Sequence, residues 1–71
     1  MKRRIYIELL EEGTTVYRPV LSTMIGDNVF IVGSKEDGEE IWEFEPGEIV
    51  EVEQHTFASG KTDLLAVRKH N

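Results

Sequence analysis

Few residues in this chain are equipped for acid–base or nucleophilic chemistry. His55 and His70 are the only histidines, cysteine is absent, and the serines are Ser22, Ser34 and Ser59. An activated nucleophile needs an adjacent base that a third group orients, and no serine sits in such a context. His70 is penultimate, where chain ends fray, and His55 closes a strand-like run. Gly60-Lys61-Thr62 has the ending of a phosphate-binding loop, but that motif needs a glycine five residues before its Gly-Lys, where His55 stands. The segment also lies between two strands, without the helix N-terminus that would hold phosphate. It reads as a hairpin turn. These residues predict no enzyme, no cofactor and no metal.

Charge is the more informative chemistry. Eight Lys and Arg stand against fourteen Asp and Glu, a net −6 in 71 residues. Residues 36–53 carry −9 with no Lys or Arg, and the remainder carries +3. Such an arm keeps a small protein soluble, or steers a basic partner. It could also gather carboxylates for Ca²⁺ or Mg²⁺, though no EF-hand-like spacing of Asp, Asn and Gly is present. The overall sign opposes binding to a phosphate backbone, for which Lys2, Arg3, Arg4, Arg68 and Lys69 make a small footprint. If the first and last strands pair, those five cations share one edge. The expected partner is a protein, a basic one if the acidic arm steers it, with nucleic acid as the runner-up.

Aromatic side chains accompany the acids. Trp42 and Phe44 lie two residues apart, on one face if the segment is a strand. They are either core, in a chain with few large side chains, or partly exposed beside carboxylates where a basic or proline-containing peptide would fit. Arg18 is expected to pair with Glu43 or Glu45 across neighbouring strands. The candidate contact patch is therefore Tyr17, Arg18, Trp42, Glu43, Phe44 and Glu45.

The elements that must position these residues are strands. Ile5, Ile7 and Leu9 alternate with Tyr6 and Glu8, a period of two. A second strand from about Thr15 to Ile25 is β-branched and aromatic, with Pro19 marking an edge, bulge or bend. Gly26-Asp27-Asn28 turns into Val29–Val32. The polar loop 33–40 is expected to be the most mobile part. Ile41–Phe44 forms a short strand and Glu45-Pro46-Gly47-Glu48 a turn, with proline at the first corner and glycine at the second. Ile49–Gln54 and Leu64–Arg68 complete the set. No apolar helical spacing persists, no run approaches a membrane span, and the absence of cysteine gives no sign of an oxidising compartment. The expectation is a single soluble cytoplasmic domain spanning residues 1–71, monomer or homodimer.

Two blocks, Glu12-Gly13-Thr14-Thr15-Val16-Tyr17-Arg18-Pro19-Val20 and Trp42-Glu43-Phe44-Glu45-Pro46-Gly47-Glu48-Ile49-Val50, resemble a family of short uncharacterised bacterial proteins. That family joins an EGT-x-V-(W/Y)-RPV segment to a W-E-F-x-PG segment across a variable loop. The resemblance carries over no functional residue. The Pro46-Gly47 turn also resembles the strand entry of SH3-like barrels, including those of translation and transcription factors. The fold expected is all-β, a small SH3-like barrel of five or six antiparallel strands. Its core is expected to hold Ile5, Ile7, Leu9, Val16, Val20, Phe30, Val50, Val52, Leu65 and Val67. For function the expectation is a non-enzymatic protein-interaction module.

Overall fold

The structure, a computed structural model, describes residues 1–36 and 38–70. It is all-β, a small SH3-like barrel of five strands: β1 (Lys2–Leu9), β2 (Val16–Gly26), β3 (Val29–Ile31), β4 (Ile49–Thr56) and β5 (Thr62–Lys69). Each strand pairs antiparallel with its predecessor, and β5 closes back onto β1. That closure is parallel, through Tyr6 opposite Leu65. Parity requires it: in an up-and-down meander of five strands, the first and last run in the same direction. The described residues contain no helix, so none is long and apolar enough to cross a membrane.

The seam corrects one expectation about charge. Counting from Tyr6 and Leu65, Arg68 lies level with Leu9, while Arg3 lies level with Thr62. The N-terminal and C-terminal cations therefore sit roughly 20 Å apart along the barrel, at about 3.3 Å per residue. They do not share one edge.

The barrel interior holds Ile5, Ile7 and Leu9 from β1, Val20 from β2, Phe30 from β3, Val50 and Val52 from β4, and Leu64 and Ala66 from β5. Val16 packs against this core while partly exposed. Leu65 and Val67 do not belong to it. Leu64-Leu65-Ala66-Val67 is apolar on both faces, so alternation cannot choose the inward pair. A bulge between Glu51 and Val52 sets Val52 opposite Ala66, and Gln54 then faces Leu64.

β2 is the long shared strand. It pairs with β1 over Val16–Thr23 and with β3 only from Thr23 onward, so Pro19 falls in the half bounded by one partner strand. Where β2 leaves β3, the chain at Gly33 comes close against it. The Gly33 N–H donates to the buried Ser22 hydroxyl at 3.1 Å, and a Cβ at Gly33 would stand 1.9 Å from the Leu21 carbonyl oxygen.

The expected strand at 41–44 is not formed. Its backbone makes two bonds to β1, Leu10 N–H to the Ile41 carbonyl at 2.7 Å and Glu43 N–H to the Glu8 carbonyl at 2.9 Å. Leu9 and Trp42 form a single isolated bridge there, and the Trp42 N–H points away from β1 to the Glu45 carboxylate at 3.2 Å. The Pro46-Gly47 turn forms as expected, with Gly47 at φ 91° and the Glu48 N–H donating to the Glu45 carbonyl at 3.1 Å.

Candidate functional site

The six residues of the expected patch do not form one surface. Trp42 and Phe44 are 4% and 6% exposed and plug the barrel. They belong to the core cluster and leave little ring surface for a partner. An apolar pair at i and i+2 turns toward whichever side lacks apolar cover. Trp42 bridges Leu9 at the end of β1, and both rings join the core cluster with Leu9 and Val32.

Arg18 pairs with Glu40, which corrects the expectation of Glu43 or Glu45. It forms a two-pronged contact in which Nε donates to Oε1 at 3.2 Å and to Oε2 at 3.1 Å, and Nη2 to Oε2. Glu40 also accepts the Trp42 indole N–H at 3.1 Å. Lys35 completes the network: Nζ bonds the Glu40 carbonyl at 2.6 Å and the Glu45 carboxylate at 2.7 Å, and lies 5.3 Å from the Trp42 ring centroid. Hydrogen bonds from Arg18 and then Trp42 hold the Glu40 carboxyl below its ordinary range. Lys35 does the same for Glu45. Sequence reasoning missed Glu40 and Lys35, which lie in the loop expected to be mobile. Asp37 of that loop lies outside the described residues, while Lys35 and Glu40 on either side of it are anchored.

Five carboxylates of the acidic arm pair with Arg, Lys or His among the described residues. Arg68 bonds Glu51 at 2.8 Å and Glu53 at 2.9 Å, and Lys69 approaches Glu48 at 3.6 Å. His70 is held, against the expectation of a frayed end: its Nδ1 lies 2.9 Å from Glu51, and its backbone N–H donates to the Ile49 carbonyl at 2.9 Å. Bonds from His70 and then Arg68 keep the Glu51 carboxyl below its ordinary range. At the far end Arg3 and Lys61 flank Asp63, at 3.6 and 4.0 Å. Among the described residues, Lys2 and Arg4 are the Lys and Arg side chains without an ion pair.

Glu43 behaves differently. It is exposed, forms no ion pair among the described residues, and stands beside Glu8, whose carbonyl its backbone bonds. Partial desolvation of the carboxyl beside the neighbouring chain, and then the Glu8 charge, push it above the ordinary range.

Tyr17 belongs to a second feature, on the outside of the barrel. Its ring centroid lies 5.0 Å from Phe57 and 5.7 Å from His55. Phe57 lies 4.7 Å from both His55 and Tyr6. The four rings are half-buried and stand apart from the core. Strand register explains the assembly: Tyr6 lies opposite Pro19 on β2 and Leu65 on β5, and Tyr17 lies opposite Glu8. The β4–β5 hairpin tip then adds Phe57. The turn that follows contains Gly60, at φ 91°, whose N–H donates to the Phe57 carbonyl at 2.8 Å. Lys61 from the same turn reaches the Tyr6 hydroxyl at 3.2 Å. Alternation separates Tyr6 from Ile5 and Ile7 in the sequence, and nothing in it points to His55 or Phe57. Only the closed barrel brings these strands together.

Comparison with family models, with curated proteins and with solved structures gives no match. The functional reading therefore rests on the chain's own geometry.

Proposed function

We propose that this protein is a non-enzymatic interaction module that binds a protein partner through the aromatic face of Tyr6, Tyr17, His55 and Phe57. The observation that carries the reading is that these four rings cluster on the outside of the barrel while twelve other apolar side chains already fill its core. Rings supply large contact area at low entropic cost, and clustered aromatics are the usual anchors of interfaces. Of the patch expected from sequence, Tyr17 and Glu43 remain on or beside this face. Arg18 and Glu45 instead brace the Trp42 loop.

The test is a pull-down from cell extract with the wild-type chain and with the Tyr17→Ala/Phe57→Ala double variant, after circular dichroism shows that both fold. Proteins retained by the wild type and lost by the variant are the expected result. An identical set retained by both would overturn the reading.

A nucleic-acid role has less support. Lys2 and Arg4 line an open groove with Pro19, Leu21 and Trp42, and among the described residues they are the Lys and Arg without an ion pair. Two cations neutralise about two phosphates and give a salt slope of only about two.

A further inference from the structure

The aromatic face has an acidic border whose charge nothing in the described chain answers. Glu8 lies directly across from Tyr17 in the β1–β2 register, on the same outer surface. Glu43 is fixed beside Glu8 by the 2.9 Å bond from its N–H to the Glu8 carbonyl. Five carboxylates of the acidic arm are paired with Arg, Lys or His. Glu8 and Glu43 are not, and they repel each other. A cation brought by a ligand would relieve that repulsion, and it would lie within reach of the Tyr17 ring face, which itself attracts cations.

The rings restrict what form the ligand takes. Their centroids are 4.7–5.7 Å apart, which is ring-to-ring contact. No space remains between them for an inserted group, so a ligand must lie across the surface. The row Leu65, Tyr6 and Pro19 runs across β5, β1 and β2. It continues the apolar surface across three adjacent strands, about 10 Å at about 4.8 Å per strand, room for about three residues of an extended chain.

We propose that the occupant is an extended peptide segment of a partner protein, with an arginine or lysine seated against Glu8 and Glu43 and a proline or other apolar side chain on Tyr6, Tyr17 and Phe57. This rests on the docking role proposed above and names the chemistry of the partner. A second copy of the chain fits poorly, because each copy carries −6 and Lys2 and Arg4, its cations without ion pairs, lie on the groove beside Leu21 and Trp42.

The probes are three synthetic octapeptides of alternating sequence, Arg-Pro, Glu-Pro and Ala-Pro, titrated into the ¹⁵N-labelled 71-residue chain. Amide shifts at Tyr6, Glu8, Tyr17, Glu43 and Phe57 are expected with the Arg-Pro peptide, and its affinity should fall about fivefold or more in Glu8→Gln/Glu43→Gln. Equal binding of the Glu-Pro peptide would overturn the proposal, as would Arg-Pro shifts elsewhere on the barrel, an unchanged affinity in the double Gln variant, or no binding by the Arg-Pro peptide. Self-association in the absence of peptide, with shifts on the aromatic face, would also overturn it in favour of a second copy. If the Ala-Pro peptide alone shifts the ring amides, the charge assignment fails while the docking role stands. If the pull-down shows no dependence on Tyr17 and Phe57, the docking role fails as well.

Discussion

Replacing Gly33 with alanine tests how the loop after β3 is fixed to the barrel. The added Cβ would meet the Leu21 carbonyl oxygen at 1.9 Å and the Leu21 carbonyl carbon at 3.0 Å. Carbon–oxygen contacts normally stand no closer than about 3.3 Å, so the two backbones must part by more than about 1 Å. The atom struck is main chain and has no rotamer to escape into. Parting them also breaks the Gly33 N–H to Ser22 Oγ bond, leaving a hydroxyl on a 1% exposed residue with one long 3.4 Å bond to the Val20 carbonyl. Overpacking costs about 1–3 kcal/mol and the lost bond about 1 kcal/mol, or about 2–4 kcal/mol together. A chain of 71 residues has a margin of about 4–10 kcal/mol. The melting temperature should therefore fall by roughly 10–30 °C. Urea unfolding followed by Trp42 emission gives the free energy. Gly38→Ala is the control, since a Cβ there meets nothing within 4 Å, and it should stay within about 0.5 kcal/mol of wild type. Equal midpoints for the two variants would refute the close-approach argument.

Two further outcomes follow from the loop network. Trp42, the sole tryptophan and 4% exposed, should emit to the blue of a solvated indole and resist iodide quenching until the chain unfolds. Emission like that of free indole in the folded protein would place it outside the core. Acid titration should separate two kinds of carboxylate. Glu40, Glu45 and Glu51 are lowered, so their stabilisation is complete above the unfolded value of about 4.3 and is lost as pH falls through their folded values. Glu43 is raised, so its contribution is present below that value and is lost as pH rises through the folded one. Glu43→Gln should then be neutral or stabilising at pH 7, by up to about 0.5 kcal/mol, while Glu40→Gln destabilises. Denaturation midpoints at pH 7 and pH 3.5 check both signs, and the effect of Glu40→Gln should shrink at the lower pH.

Much of the barrel was legible because period-two alternation is a local signal. Ile5, Ile7 and Leu9, and likewise Val50 and Val52, declare their inward face within their own strands. The Pro46-Gly47 and Gly60 turns declare themselves through the backbone angles they require. What escaped were decisions made between segments. Leu64–Val67 is apolar on both faces, and the bulge at Glu51/Val52 settles it from the neighbouring strand. Alternation reads Trp42 and Phe44 as strand, but the segment makes only a single bridge to β1, between Trp42 and Leu9, before the Pro46-Gly47 turn. Arg18 met Glu40 instead of Glu43 or Glu45, because long charged side chains choose partners by final proximity. The aromatic face was least legible, since Tyr6, Tyr17 and Phe57 are spread over 51 positions of the chain. Only β1–β2 pairing and the returning hairpin tip unite them.

The parallel seam has a consequence for how this chain can be re-wired. Lys2 opens β1 at one end of the barrel, and Lys69 closes β5 at the other, level with Leu10. A circular permutant joining them must run a bridge of roughly 26 Å along the outside of the barrel, which takes about eight extended residues. A two- or three-residue joint, adequate for a barrel whose ends meet, would here tear β1 from β5. By the same geometry, fusions at the two ends point in opposite directions, so the barrel would hold two attached proteins apart as a short, rigid spacer.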